Sequence, residues 1–214
     1  MDAGTPSERP FQRSIKTRCC IVGGGPAGMM LGYLLGRAGI DTLVLEKHAD
    51  FFRDFRGDTV HPSTLEVLDE LGLIEGFLKL PHQQLQKMDG KFGGTSIRIA
   101  DLSRLKVKYP FIAFMPQWDF LNFLRESGKR FSSLKVMMNA DATDLIWSGD
   151  KVAGVLADTP DGTVEIRALR AAGAGSAGAR ARWPRGRGDR RADGCALVSF
   201  RQACRRERKP ICAR

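Results

Sequence analysis

Cys19-Cys20-Ile21-Val22-Gly23-Gly24-Gly25-Pro26-Ala27-Gly28 is a short apolar run that passes directly into a G-x-G-x-x-G turn. A strand that feeds such a turn, followed at once by a helix, is a cradle for a dinucleotide pyrophosphate. Gly23 allows the tight turn, Gly25 lets the backbone approach the pyrophosphate, and Gly28 lets the helix pack closely on the strand. Pro26 and Ala27 begin that helix, whose free N–H groups face the anion. The helix is followed by Asp41-Thr42-Leu43-Val44-Leu45-Glu46, a second strand ending in an acid 18 residues after Gly28. An acid at that distance is placed to accept hydrogen bonds from an adenosine ribose. The spacing predicts a strand over 17–22, a helix over 26–38 and a strand over 42–46. That is a βαβ unit, so the chain is read as α/β with a parallel sheet.

Composition sets the class. The 214 residues carry a formal net charge of +10. Residues 168–214 hold 13 Lys and Arg against 3 Asp and Glu, which accounts for the whole excess; the body before them is neutral. A basic surface would point to nucleic acid or an anionic membrane only if it carried a recognisable binding motif, and none is present. The stretch 1–16 is polar with Pro6 and Pro10 and has no apolar core of a signal peptide, so it reads as disordered and the chain as cytoplasmic. Cys19 and Cys20 fall in the first strand and Cys195, Cys204 and Cys212 in the tail, with no C-x-x-C spacing. That pattern implies a reducing compartment and no zinc site.

Further along, Pro62 near a first turn, leucines at helical spacing and Gly72 at the end predict a helix. Residues 84–100 read as strands around a turn at Gly93-Gly94, 111–115 as a strand, and 117–131 as a helix. A buried strand over 135–138 precedes 142–147, 152–158 and 164–168, an antiparallel β-meander with turns at 148–150 and 160–162. From about Leu169 the chain turns to Ala, Gly and Arg without helical or strand period. The domain boundaries expected are therefore 17–168 for the folded part and 169–214 for a disordered tail. His48, His61 and His82 share no spacing, so they read as solvent-facing or structural, while Trp118 and the Phe51-Phe52 pair read as packing residues.

Several motifs occur in a fixed order: the fingerprint Gly23 to Gly28, Glu46-Lys47, Arg56-Gly57-Asp58 with Pro62 and Thr64-Leu65, Met115-Pro116-Gln117 before a helix, and the meander opening Asp141-Ala142-Thr143. In that order the chain resembles the class A FAD-dependent monooxygenases, of which para-hydroxybenzoate hydroxylase is the type. The resemblance covers 20–168. It implies a Rossmann-like FAD-binding domain in which Glu46 binds the adenosine ribose, with Lys47 beside the adenosine end. It also implies that Arg56 binds the pyrophosphate or reaches the flavin side, that Gln117 holds the ribityl chain, and that the backbone at Ala142 meets the adenine. Arg offers a planar fork to phosphate oxygens, and Gln donates and accepts along a polyol. The implied cofactors are FAD and a transient NAD(P)H reductant, and the implied reaction is hydroxylation of a small organic, often aromatic, substrate.

The chain departs from that family after the meander. Ala171-Ala172-Gly173-Ala174-Gly175-Ser176-Ala177-Gly178 stands where relatives place a Gly-x-Asp-Gly-type segment, and the substrate sheet and later Gly-Asp-Ala-type segment have no counterpart. The resemblance therefore implies a truncated domain without a complete active site. Codons compatible with 178–200, read one nucleotide later, can encode a family-like continuation, which predicts an insertion or deletion near codons 168–178. Competing readings are an inactive remnant, an NAD-binding Rossmann protein on the fingerprint alone, and, ranked last, a basic tail that binds nucleic acid. Arg56 and Gln117 argue against the NAD reading.

Overall fold

The computed structural model describes residues 13–52, 58–149 and 151–173. The elements, in chain order, are β1 (Arg13–Val22), α1 (Pro26–Arg37), β2 (Thr42–Leu45), β3 (Thr59–Val60), α2 (Pro62–Glu70), α3 (Ile74–Leu78), β4 (Gln83–Leu85), β5 (Lys87–Phe92), β6 (Thr95–Asp101), β7 (Ile112–Phe114), α4 (Gln117–Gly128), β8 (Leu134–Met137), β9 (Asp141–Ser148), β10 (Lys151–Thr159) and β11 (Gly162–Gly173). They fall into two compact units. One comprises the described residues of Met1–Ala49 and Phe131–Arg214, the other Asp50–Arg130.

In the first unit the strands form one sheet in the order β8-β2-β1-β11-β10-β9. β8, β2, β1 and β11 are parallel, and β10 and β9 continue antiparallel as the expected meander. The last meander strand is thus also the parallel neighbour of the first strand of the chain, running from Arg13 opposite Val164 to Val22 opposite Gly173. This pairing corrects both expected boundaries. β1 begins at Arg13, so 13–16 are strand rather than disordered, and β11 runs to Gly173 although periodicity lapses at Leu169. The ladder on a neighbouring strand satisfies the backbone there without needing an alternating side-chain pattern. The expected buried strand near 135–138 is the half-buried edge strand β8, because it has a partner on one side only.

Alternate residues of the parallel strands go to opposite faces, and both faces are covered. Cys20, Leu43 and Leu45 join Ala140, Ala142, Leu145, Val155, Ala157, Val164 and Ile166 in one buried cluster. On the other face α1 lies against Ile21, Val44 and Leu134 through Gly28, Gly32 and Gly36, a glycine every fourth residue. A Cβ at position 32 would come within 2.7 Å of Val44 Cγ2, and one at 36 within 2.8 Å of Leu134 Cβ. That spacing places all three on one helical face, so the backbone itself packs on the sheet. Tyr33 of α1 is fully buried and meets Phe131 edge-on, ring centroids 5.3 Å apart.

In the second unit β3, β7 and β4 form a small antiparallel sheet, and β5 and β6 a separate ribbon turning at Gly93 and Gly94. α2 and α4 lie where the sequence predicts helices, α4 stopping at Gly128 rather than 131; the short α3 was not anticipated. Phe77 of α3 is buried against the edges of Phe120 and Phe123 of α4. The rings of Trp118 and Phe52 lie 4.9 Å apart, and of the Phe51-Phe52 pair it is Phe51 that is buried while Phe52 is exposed. No helix among the described residues is long and apolar enough to cross a membrane.

Candidate functional site

The strand-to-helix turn after β1 is tied to the end of β2. Gly23 N–H donates to the Leu45 carbonyl at 2.8 Å, and Gly24 N–H donates to Glu46 Oε2 at 2.9 Å. Gly23 has φ +106, a conformation that only glycine adopts at no steric cost. Gly28 is required by proximity, since a Cβ there would lie 1.9 Å from the carbonyl oxygen of Gly23.

Gly25 differs from both. Its φ of −68 suits any residue, and a Cβ added to it would meet nothing within 4 Å among the described residues. Among the described residues neither backbone conformation nor packing calls for glycine here, so its small size keeps the backbone at the start of α1 approachable. Gly25 is also the N-cap of α1; no side chain caps the helix, Pro26 occupies its first turn, and that turn carries no acid. The amides and the positive end of the helix dipole therefore face that approach, as a pyrophosphate requires. These residues fit a dinucleotide cofactor.

Glu46 directly follows β2 with its side chain almost buried; the residue is 8% exposed. Its backbone is held on both sides, Glu46 N–H donating to the Met137 carbonyl and Ala140 N–H to the Glu46 carbonyl, each at 2.9 Å. Oε1 accepts from His48 N–H at 3.2 Å and lies 2.6 Å from His48 Nδ1. Asn139 N–H donates to the His48 carbonyl at 3.0 Å from a positive φ of +53, which Asn tolerates better than most residues. The segment after β8 is thereby stapled to 46–48, and Ala142, opposite Ala157 in β10, is buried in the core cluster soon after it.

The structure thus brings together Gly23, Gly25, Pro26, Ala27, Gly28 and Glu46, with Ala142 following from the stapled segment. Lys47 is exposed, and the next residue, His48, meets the Glu46 carboxylate. Gln117 is the first residue of α4 in the second unit and is half-buried. Arg56 and the tail from 174 onward, including the expected shift of reading frame, lie outside the described residues. The small-residue spacing at 28, 32 and 36 and the His48 contact were missed; the first was readable as a period of four. Among the described residues no group of His, Cys, Asp and Glu is arranged to hold a metal ion.

Residues 16–186 match the family described as FAD binding domain. The chain belongs to this family of class A FAD-dependent monooxygenases and corresponds to its N-terminal part. The 6-methylpretetramide 4-monooxygenase of Streptomyces rimosus is 28% identical over 152 residues, 71% of this chain and 36% of that protein. The p-hydroxybenzoate hydroxylase of Acinetobacter baylyi is 31% identical over 97 residues, 44% of this chain and 23% of that protein. The crystal structure of the p-nitrophenol 4-monooxygenase of Pseudomonas putida superposes with a TM-score of 0.67 at 25% identity, covering 77% of this chain and 42% of that one. The chain spans about a third of the length of the curated relatives it matches. In this FAD-binding family member, the Gly25 opening and the Glu46 carboxylate are the two features that fit the dinucleotide.

Proposed function

We propose that this FAD-binding chain supplies the cofactor half of an NAD(P)H-dependent flavin monooxygenase that hydroxylates a small organic, often aromatic, substrate. The observation that carries the reading is the contrast between Gly28, which the Gly23 carbonyl demands, and Gly25, where no described residue comes within 4 Å of an added Cβ and a bound pyrophosphate would account for the glycine. Gly25, Pro26, Ala27 and Gly28 would hold the pyrophosphate. Glu46 would accept from the adenosine ribose, with Lys47 alongside and the backbone near Ala142 toward the adenine. Arg56 would serve the pyrophosphate or the flavin side, and Gln117 the ribityl chain. When bound, the flavin would supply the redox chemistry with NAD(P)H and oxygen.

The names of the relatives, a 6-methylpretetramide monooxygenase, a p-hydroxybenzoate hydroxylase and a p-nitrophenol monooxygenase, support the substrate class.

The test is the visible absorbance spectrum of the purified chain after incubation with FAD and desalting. A retained flavin band near one equivalent, reduced in Gly25→Val and Glu46→Ala, is the expected result. A folded protein that emerges colourless overturns the reading.

A further inference from the structure

We propose that His48 is a positioning residue for the adenosine end of the cofactor, acting through Glu46; the inference rests on the reading that Glu46 accepts from the ribose. The Glu46 carboxylate is held from two directions. The Gly24 N–H donates to Oε2, and the backbone N–H and ring Nδ1 of His48 meet Oε1, the ring at 2.6 Å. An ionised carboxylate only accepts, so Nδ1 is the protonated ring nitrogen in this contact.

The ring and the backbone of His48 are separable. The backbone is anchored by the Asn139 N–H at 3.0 Å and by the neighbouring Ala140 to Glu46 bond, neither of which involves the imidazole. The side chain is 43% exposed, against 10% for Glu46, so it closes over the carboxylate from the solvent side. Removing the ring takes away one donor to Oε1 and leaves the strand, the turn and the Gly24 bond in place. A carboxylate held in one rotamer loses less freedom when it accepts a ribose hydroxyl, and that preorganisation is what the ring contributes. The substitution His48→Asn would place an amide N–H at a similar distance along the side chain and would keep this function.

The experiment is calorimetric titration of the full chain with ADP, the adenosine diphosphate half of FAD, and with 2′,3′-dideoxy-ADP. The proteins are wild type, His48→Ala, His48→Asn, Glu46→Ala and the His48→Ala/Glu46→Ala double variant. His48→Ala is expected to weaken ADP roughly three- to ten-fold, the size of one side chain newly ordered on binding. The same variant should leave dideoxy-ADP unchanged and add nothing in the Glu46→Ala background, while His48→Asn should restore the affinity for ADP. Equal weakening of both nucleotides, persistence of the loss without Glu46, or no loss at all overturns the positioning role while leaving the cofactor reading intact. Failure of the wild-type chain to bind either ADP or FAD overturns the cofactor reading and the positioning role with it.

Discussion

The carbonyl oxygen of Gly23 lies where it would be 1.9 Å from a Cβ at position 28. The start of α1 thus lies so close to the turn after β1 that only a residue without a Cβ fits at position 28. Two glycines of one motif, Gly25 and Gly28, therefore have different physical reasons, and their substitutions should separate.

Gly28→Ala forces backbone against backbone and should destabilise the fold by about 1–3 kcal/mol, the range for overpacking. Gly25→Ala meets no described residue and has a compatible φ, so it should leave stability within about 0.5 kcal/mol of wild type while weakening FAD at least several-fold. Urea unfolding followed by circular dichroism, alongside FAD titration, checks both. Equal loss of stability in the two variants would refute the distinction.

Glu46 matters to the apo fold as well as to the ligand. Its truncation to Ala leaves the buried Gly24 N–H and the two His48 donors without their acceptor. The expected loss is about 1–3 kcal/mol of stability before any FAD is added, the cost of an unsatisfied buried donor. Glu46→Gln keeps an acceptor oxygen and should lose less. Chemical denaturation of the apo proteins decides it.

Cys20 is fully buried in the core cluster, and burial, with a smaller contribution from Cys19, pushes its thiol from 9.0 up to about 12. The folded state therefore keeps the proton where the unfolded chain releases it. The associated stability is complete below pH 9.0 and falls as pH rises from there toward 12, by about 1.4 kcal/mol per pH unit for one group. Cys20→Ala should flatten the decline in stability between about pH 9 and 11 relative to wild type, and native Cys20 should resist alkylation at about pH 8 until the chain unfolds. Mass spectrometry of the alkylated protein and pH-dependent urea melts measure the two effects.

In the second unit Lys108 Nζ donates to both oxygens of Asp69, at 2.9 and 2.8 Å, and Tyr109 donates its hydroxyl at 2.8 Å. These hydrogen bonds, Lys108 first, hold the Asp69 carboxyl below its ordinary value of 3.8. The contribution to stability is present above pH 3.8 and is lost as pH falls through the lower folded value. Carbon-detected NMR titration should place the Asp69 midpoint below 3.8 in wild type and move it upward in Lys108→Ala. An unchanged midpoint would show that the pair does not form in solution.

The βαβ opening was legible because its signals are local. The glycine turn, the helical period and the acid after β2 lie close together in the chain, and each is imposed by the backbone geometry of its own segment. The meander was legible for the same reason, through its turns at Gly149 and Gly162. The edges of β1 and β11 were not. Residues 13–16 and 169–173 have no distinguishing pattern, and they become strand only because each strand extends along the other in a parallel ladder. The division at Asp50 and Phe131 was likewise hidden, since no composition shift marks it.

The site shows the same split. Gly23, Gly25, Gly28 and Glu46 follow from spacing alone, whereas the contact of His48 with Glu46 depends on a rotamer and on the anchoring of 48 by Asn139, far away in the chain. The order of residues was enough for the α/β class, the dinucleotide cradle and the family, because tight turns and helix starts are short-range steric and hydrogen-bonding choices. It took the folded chain to show that β11 lies beside β1, that His48 meets the Glu46 carboxylate, and that no described residue crowds Gly25. Those are relations between segments whose order in space is set by packing and long-range pairing rather than by neighbours in the chain.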